Sequence, residues 1–192
     1  MSNYLSKIQE KKSGFIKIGK NCKISNKIRT YSLNCIIGNN VRIDDDVILK
    51  GKIKIGSNVH IARGCTLSGG EKGIYLNNFA TLSNFCQLFT ESDDYYNSTV
   101  SGGTFDKKKR HKFCSIISKK ISIGKASIIG PFGVILPGAD IGDFCTVAPF
   151  SCIYKKIKDG YYLSTSQLTK IFLKKRNIKK LKKIYEKNFK NY

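Results

Sequence analysis

The chain is short of several things, and each shortage removes a class of function. No stretch approaches the roughly 18 consecutive apolar residues that a membrane-spanning helix needs. The first residues, Met1 to Lys12, are polar and lack the apolar run of a secretion signal. Seven cysteines are an odd number, and none forms a CxxC pair. That pattern fits neither a disulfide framework nor a zinc knuckle, and it suits a reducing, cytoplasmic setting. There are only two histidines, His60 and His111, too few for a three-histidine metal centre. Acids are also scarce: 13 Asp and Glu stand against 35 Lys and Arg, a net charge of +22. Of the basic residues 30 are Lys, scattered as a biased codon usage would scatter them, so no nucleic-acid partner is expected.

What is present is a period of six. Aliphatic residues recur at Ile37, Ile43, Leu49, Ile55, Ile61 and Leu67, again at Leu76, Leu82 and Leu88, and again from Ile123 through Ile129, Ile135, Ile141 and Val147 to Ile153. Ile18 and Ile24 open an earlier, less regular turn. Four residues after each aliphatic comes a small or β-branched one, such as Val41, Val59, Cys65, Ala80, Cys86 and Cys145. Glycine follows the aliphatic in Ile18-Gly19, Ile37-Gly38, Ile55-Gly56, Ile123-Gly124 and Ile141-Gly142. Six matches neither a lone helix at 3.6 nor an alternating strand at 2. It predicts an all-β solenoid, a three-sided prism of about 18 residues per coil, whose stacked coils bury an internal aliphatic ladder. In that register Cys22, Cys35, Cys65, Cys86 and Cys145 are inward packing residues. Cys114 and Cys152 are off it and receive no role.

The period fails over residues 90–120, a polar loop with adjacent acids, Asp93 and Asp94, between Thr90 and Tyr95. Long loops in compact domains usually carry function. Beyond Ile157 the pattern changes again. Residues 170–190 read as an amphipathic helix, with Ile171, Ile178, Leu181, Tyr185 and Phe189 on one stripe. From Lys155 to Tyr192, 13 basic residues face 2 acids, a net of +11. Such a helix suits capping of the solenoid's open end or contact with an anionic membrane. The predicted organisation is an N-terminal segment with one irregular coil (1–34), a solenoid (35–157) and a basic tail (158–192).

The run from Ile123 to Ile157, with Ile135-Leu136-Pro137-Gly138 followed by Ile141-Gly142, resembles the last coils of the galactoside and maltose acetyltransferase-like hexapeptide-repeat family. The stretch Asn58 to Leu76 together with Phe89-Thr90-Glu91-Ser92-Asp93-Asp94-Tyr95 is similar to the capsule and O-antigen O-acetyltransferase branch. The resemblance implies a left-handed parallel β-helix, a homotrimer, acetyl-CoA as donor, no metal, and a sugar or lipid-linked saccharide as acceptor, with transfer to a hydroxyl. N-acetylation of an amino sugar and a non-catalytic scaffold stand as alternatives. A γ-class carbonic anhydrase shares the fold but needs three histidines.

In the wider family the catalytic histidine opens the long loop, and here that position is Asp93. The branch resemblance moves the base to His60, with Asp93 or Asp94 as the carboxylate that fixes its tautomer. For the donor it implies backbone amides near Gly130 and Ala148 against the pantetheine arm, and Lys155, Lys156 and Lys170 or Lys174 at the phosphates. Val147-Ala148-Pro149-Phe150-Ser151 departs from the family's Ile-Gly-Ala-Gly-Ser, with Phe150 bulky where a small residue is usual. His111 lies in the basic stretch of the loop.

Overall fold

A computed structural model describes residues 4–6, 13–94, 97, 101–104, 106, 110, 114–164, 172–175, 179, 182–183 and 186–187. The six-residue period folds into a parallel β-solenoid of three faces. Face A stacks Phe15–Ile18, the second half of Arg29–Ile37, the second half of Ile48–Ile55, then Ile74–Leu76, Ile121–Ile123, Asp140–Ile141 and Lys156–Ile157. Face B stacks Lys23–Ile24, Arg42–Ile43, His60–Ile61, Thr81–Leu82, Ile128–Ile129, Thr146–Val147 and Tyr161–Ser164. Face C takes the first halves of Arg29–Ile37 and Ile48–Ile55, then Thr66–Ser68, Gln87–Phe89, Val134–Ile135 and Cys152–Ile153.

Register partners are in-line aliphatics, so each face contributes one inward ladder. Leu49, Leu67, Leu88 and Ile135 line face C. Ile37, Ile55, Leu76, Ile123 and Ile141 line face A. Ile43, Ile61, Leu82, Ile129 and Val147 line face B. All are buried. Each such side chain contributes about 1.5–3 kcal/mol when removed from water. Cys35, Cys65, Cys86 and Cys145 are buried between the ladders, and Cys22 is half-buried. Burial pushes the Cys35 thiol up to about 12, which leaves it a packing group. Off the register, Cys114 is buried and Cys152 exposed.

The Ile-Gly pairs have a steric cause. They stand at the edge between faces A and B, where successive coils touch backbone to backbone. A Cβ on Gly124 would lie 2.3 Å from the Gly142 carbonyl and 2.5 Å from Asp143 N. The residue after each glycine pair position then ties the coils together. Lys20 N donates to Asn39 Oδ1 (2.8 Å), Asn39 N to Ser57 Oγ (3.0 Å) and Ser57 N to Asn78 Oδ1 (2.9 Å). Lower down, Lys125 N donates to Asp143 Oδ1 (2.7 Å) and Asp143 N to Asp159 Oδ1 (2.9 Å). Since backbone cannot yield as a side chain can, Gly124→Ala is expected to cost about 1–3 kcal/mol. Urea unfolding should show a lower midpoint with an unchanged slope; an unmoved midpoint would contradict the steric account.

Two sequence expectations change. The loop over 90–120 is not wholly irregular: Glu91–Asp93 pairs antiparallel with Ile116–Ser118, and Gly102–Thr104 makes a 3-10 turn. The helix expected over 170–190 does not begin at 170. Phe172–Lys175 is a strand, antiparallel to Tyr161–Ser164. It covers the open edge of face B, where unpaired backbone groups would otherwise meet solvent. Lys179, Lys182, Lys183, Glu186 and Lys187 are helical and exposed. The stripe residues Ile171, Ile178, Leu181, Tyr185 and Phe189, which would cap or touch a membrane, lie outside the described residues.

Candidate functional site

The loop leaves the solenoid where face C turns into face A, and its antiparallel base holds Asp93 against that edge. Asp93 Oδ1 accepts the Gly102 amide (3.0 Å) and Oδ2 accepts the Ser101 hydroxyl (2.9 Å). A Cβ on Gly102 would lie 2.8 Å from Asp93 Oδ1, so a larger residue there would shift the carboxylate. The carboxylate thereby lines a cavity of about 430 Å³. Its lining combines the apolar Phe89, Ile116, Val134 and Leu136 with the charged Glu91, Asp93 and Arg110. Arg110 Nη2 is ion-paired with Glu91 Oε1. Asp94 turns the other way and closes a local turn on Asn97, accepting its amide (3.2 Å) and its Nδ2 (2.7 Å).

His60 is half-buried on face B and pairs in register with Arg42 and Thr81. Its Nε2 lies 2.9 Å from Asp44 Oδ2, and Arg42 Nε donates to Asp44 Oδ1 (2.6 Å). Desolvation works to raise the Asp44 carboxyl, but the hydrogen bonds and charges of His60 and Arg42 outweigh it and hold the group below the usual aspartate range. The expected orienter of His60 therefore changes: within one chain it is Asp44. Asp93 and Asp94 of the same chain stand away from it, because the edge between faces C and A is opposite face B in a three-sided prism. The packed ladder of Leu67, Leu76 and Leu82 lies between them. The sequence did hold a signal for Asp44. In an 18-residue coil, residue 42 stacks beneath residue 60, and an acid two places further along the same strand comes within reach.

The residues expected at the donor lie on the last coils. The Gly130 amide donates to Val147 O (2.8 Å) and the Ala148 amide to Leu163 O (2.8 Å), so both are spent on joining coils. A Cβ on Gly130 would meet Pro149 N at 2.6 Å, which explains the glycine without a ligand. Over this edge, between faces B and C, Phe85, Phe132 and Phe150 stack at 5.2 and 4.9 Å, all three exposed. Lys155 sits over the Tyr154 ring at 5.2 Å, and Lys156 lies 3.5 Å from Asp140. Both lysines are exposed on the last coil. Lys174 belongs to the antiparallel strand opposite Tyr162. Lys170 and His111 lie outside the described residues. A larger opening of about 880 Å³ lies beside Asp140, Asp143 and Asp159, and the last two carboxylates accept the coil-tying bonds above. Among the described residues no group of three or more His, Cys, Asp or Glu could hold a metal ion.

Comparison with known proteins agrees with this architecture. The model of the bacterial transferase hexapeptide (six repeats) matches residues 34–69. An Escherichia coli dTDP-4-amino-4,6-dideoxy-D-glucose acyltransferase is 30% identical over 154 residues, 78% of each chain. AntD, an N-acyltransferase from Bacillus cereus, solved with dTDP and 3-hydroxybutyryl-CoA, is 34% identical with a TM-score of 0.83, covering 100% of both chains. A variant of that enzyme, solved with dTDP-4-amino-4,6-dideoxyglucose and coenzyme A, is 34% identical with a TM-score of 0.84 over 98% of this chain and 100% of its own. The acetyltransferase domain of PglB from Neisseria gonorrhoeae, at 15% identity and a TM-score of 0.57, covers 81% of this chain and 57% of its own; it shares the fold.

Proposed function

This chain belongs to the hexapeptide-repeat acyltransferases, and from that premise we propose that it moves an acyl group from a coenzyme A thioester to the amine of a nucleotide-linked amino sugar. The observation that carries the reading is the Asp93 carboxylate, held by Gly102 and Ser101 in the lining of a cavity that it shares with Phe89, Ile116, Val134 and Leu136. A carboxylate suits an amine, and apolar side chains beside it suit the deoxygenated edge of a dideoxy sugar. The Bacillus cereus relative was solved with such an acceptor bound. Both points favour an amine over the hydroxyl acceptor that the sequence resemblance implied.

In this reading Asp93 holds the acceptor amine while its nitrogen attacks the thioester carbonyl. The carbon–sulfur bond breaks and coenzyme A leaves. The surplus proton on nitrogen passes to His60 of a neighbouring copy, whose tautomer that copy's Asp44 fixes. Two copies are needed because His60 and Asp93 lie on opposite sides of one prism. A homotrimer of parallel prisms would supply three such clefts. The exposed Lys155 and Lys156 of the last coil are the donor's phosphate contacts. Acyl transfer is tested by following release of coenzyme A thiol with dTDP-4-amino-4,6-dideoxyglucose as acceptor. Turnover with this amine and none with the matching 4-hydroxy sugar is expected. Turnover only with the hydroxyl acceptor, or coenzyme A thioester binding with no transfer to either, would overturn the reading.

A further inference from the structure

The Arg110–Glu91 pair in the cavity lining leaves part of a guanidinium unused. Arg110 spends Nη2 on Glu91. Its Nε is buried and has no hydrogen-bond partner. Its side chain is only 18% exposed, so water cannot fully substitute. A buried donor left unsatisfied costs about 1–3 kcal/mol, more on a charged group. The backbone around it is secured independently: Arg110 N donates to Asp106 O (3.0 Å) and Cys114 N to Arg110 O (2.8 Å). The side chain lines the same cavity as Asp93.

We propose that Arg110 is a specificity-determining residue, whose Nη donors not spent on Glu91 take a ring hydroxyl oxygen of the acceptor sugar next to the amine that Asp93 holds. The inference rests on the amino-sugar reading above and goes beyond it by naming what distinguishes one amino sugar from another. The charge balance favours a neutral oxygen over a phosphate. Glu91 and Asp93 together outweigh the single positive charge of Arg110, so a dianionic group would be repelled. A hydroxyl oxygen accepts from a guanidinium without adding charge and can donate its own proton to Glu91 or Asp93. A site built to bond a hydroxyl discriminates against an analogue that lacks it, because the guanidinium donors facing it, cut off from water by the ligand, are then left without a partner.

The test uses two acceptors, dTDP-4-amino-4,6-dideoxyglucose and its analogue deoxygenated at the carbon beside the amine. The full-length protein should prefer the hydroxylated acceptor by about 10–100-fold in kcat/KM, the range of a charged hydrogen bond. Arg110→Met should lose that much on the hydroxylated acceptor and almost nothing on the deoxy analogue, so the preference disappears. Arg110→Lys should restore part of it. Glu91→Gln, which frees Arg110 without removing it, should keep the preference. An equal loss on both acceptors in Arg110→Met, or an undiminished preference, would overturn the proposal and leave Arg110 a structural tie of the loop. Transfer to amino sugars without any hydroxyl preference would overturn it and spare the proposed function. No transfer to any amino-sugar nucleotide would remove both.

Discussion

Asp93→Asn is expected to lower kcat/KM for the amine acceptor by about 10²–10⁴-fold, the range for loss of a group that handles the transferred proton or its bearer, or ~3–5 kcal/mol of barrier. The asparagine is chosen because it keeps the loop. Its amide oxygen can still accept the Gly102 N–H, and the Ser101 hydroxyl can turn to accept from the new amide nitrogen. What it removes is the negative charge facing the cavity. Thermal unfolding and coenzyme A binding should stay close to those of the parent protein. Asp94→Asn makes the contrast. Asp94 closes a turn on Asn97, and asparagine serves that turn nearly as well. It should be almost fully active. Comparable losses in the two variants would mean that the loop's shape matters and the Asp93 charge does not.

The two acids illustrate where sequence stops being informative. Side by side, Asp93 and Asp94 are chemically equivalent. Their separation comes from the end of a strand: Asp93 is the last residue of the pairing of Glu91–Asp93 with Ile116–Ser118, and Asp94, just past it, closes the turn on Asn97. No periodicity announces that hairpin, since its partner lies over twenty residues downstream across a polar stretch. The solenoid was legible for the opposite reason. Its contacts repeat every 18 residues wherever nothing is inserted, so Ile37 and Ile55, like Ile123 and Ile141, carry the same information, and the glycines after them are demanded by the same backbone approach. The strand Phe172–Lys175 is hidden in the sequence because it is four residues long and sits inside a stretch whose flanking apolar residues, Ile171 and Ile178, fit a helical stripe. The exposed ladder edge of Tyr161–Ser164, a tertiary circumstance, chooses the strand. His60 is legible as a candidate, and its carboxylate partner within the chain lies in the coil before it. Reading backward from His60 finds the acids at 44–46, of which Asp44 bonds the imidazole.

The mixed assembly is the sharper consequence of that geometry. His60→Ala should lose activity by about 10²-fold, at the low end for a general base because an amine needs less help than a hydroxyl. It should leave coenzyme A affinity unchanged. Neither His60→Ala nor Asp93→Asn alone should recover when diluted or concentrated. Refolded together in equal amounts, they should regain activity. If every site takes Asp93 from one copy and His60 from the next, random mixing makes about one quarter of the clefts intact in a closed ring of three. Activity should therefore climb from the percent level to about a quarter of the parent's. Light scattering on the mixture should report a trimer mass. A mixture that stays as inactive as its components would place both residues in one copy's site, against the prism geometry, or show that copies do not share sites. A fully active His60→Ala would remove the Asp44–His60 pair from the reaction and leave Asp93 to take the proton itself. The recovery is also specific to the variant pair: mixing Asp93→Asn with Arg110→Met should restore little, because both residues line one cavity of one copy and the intact cavity would have to come from neither parent.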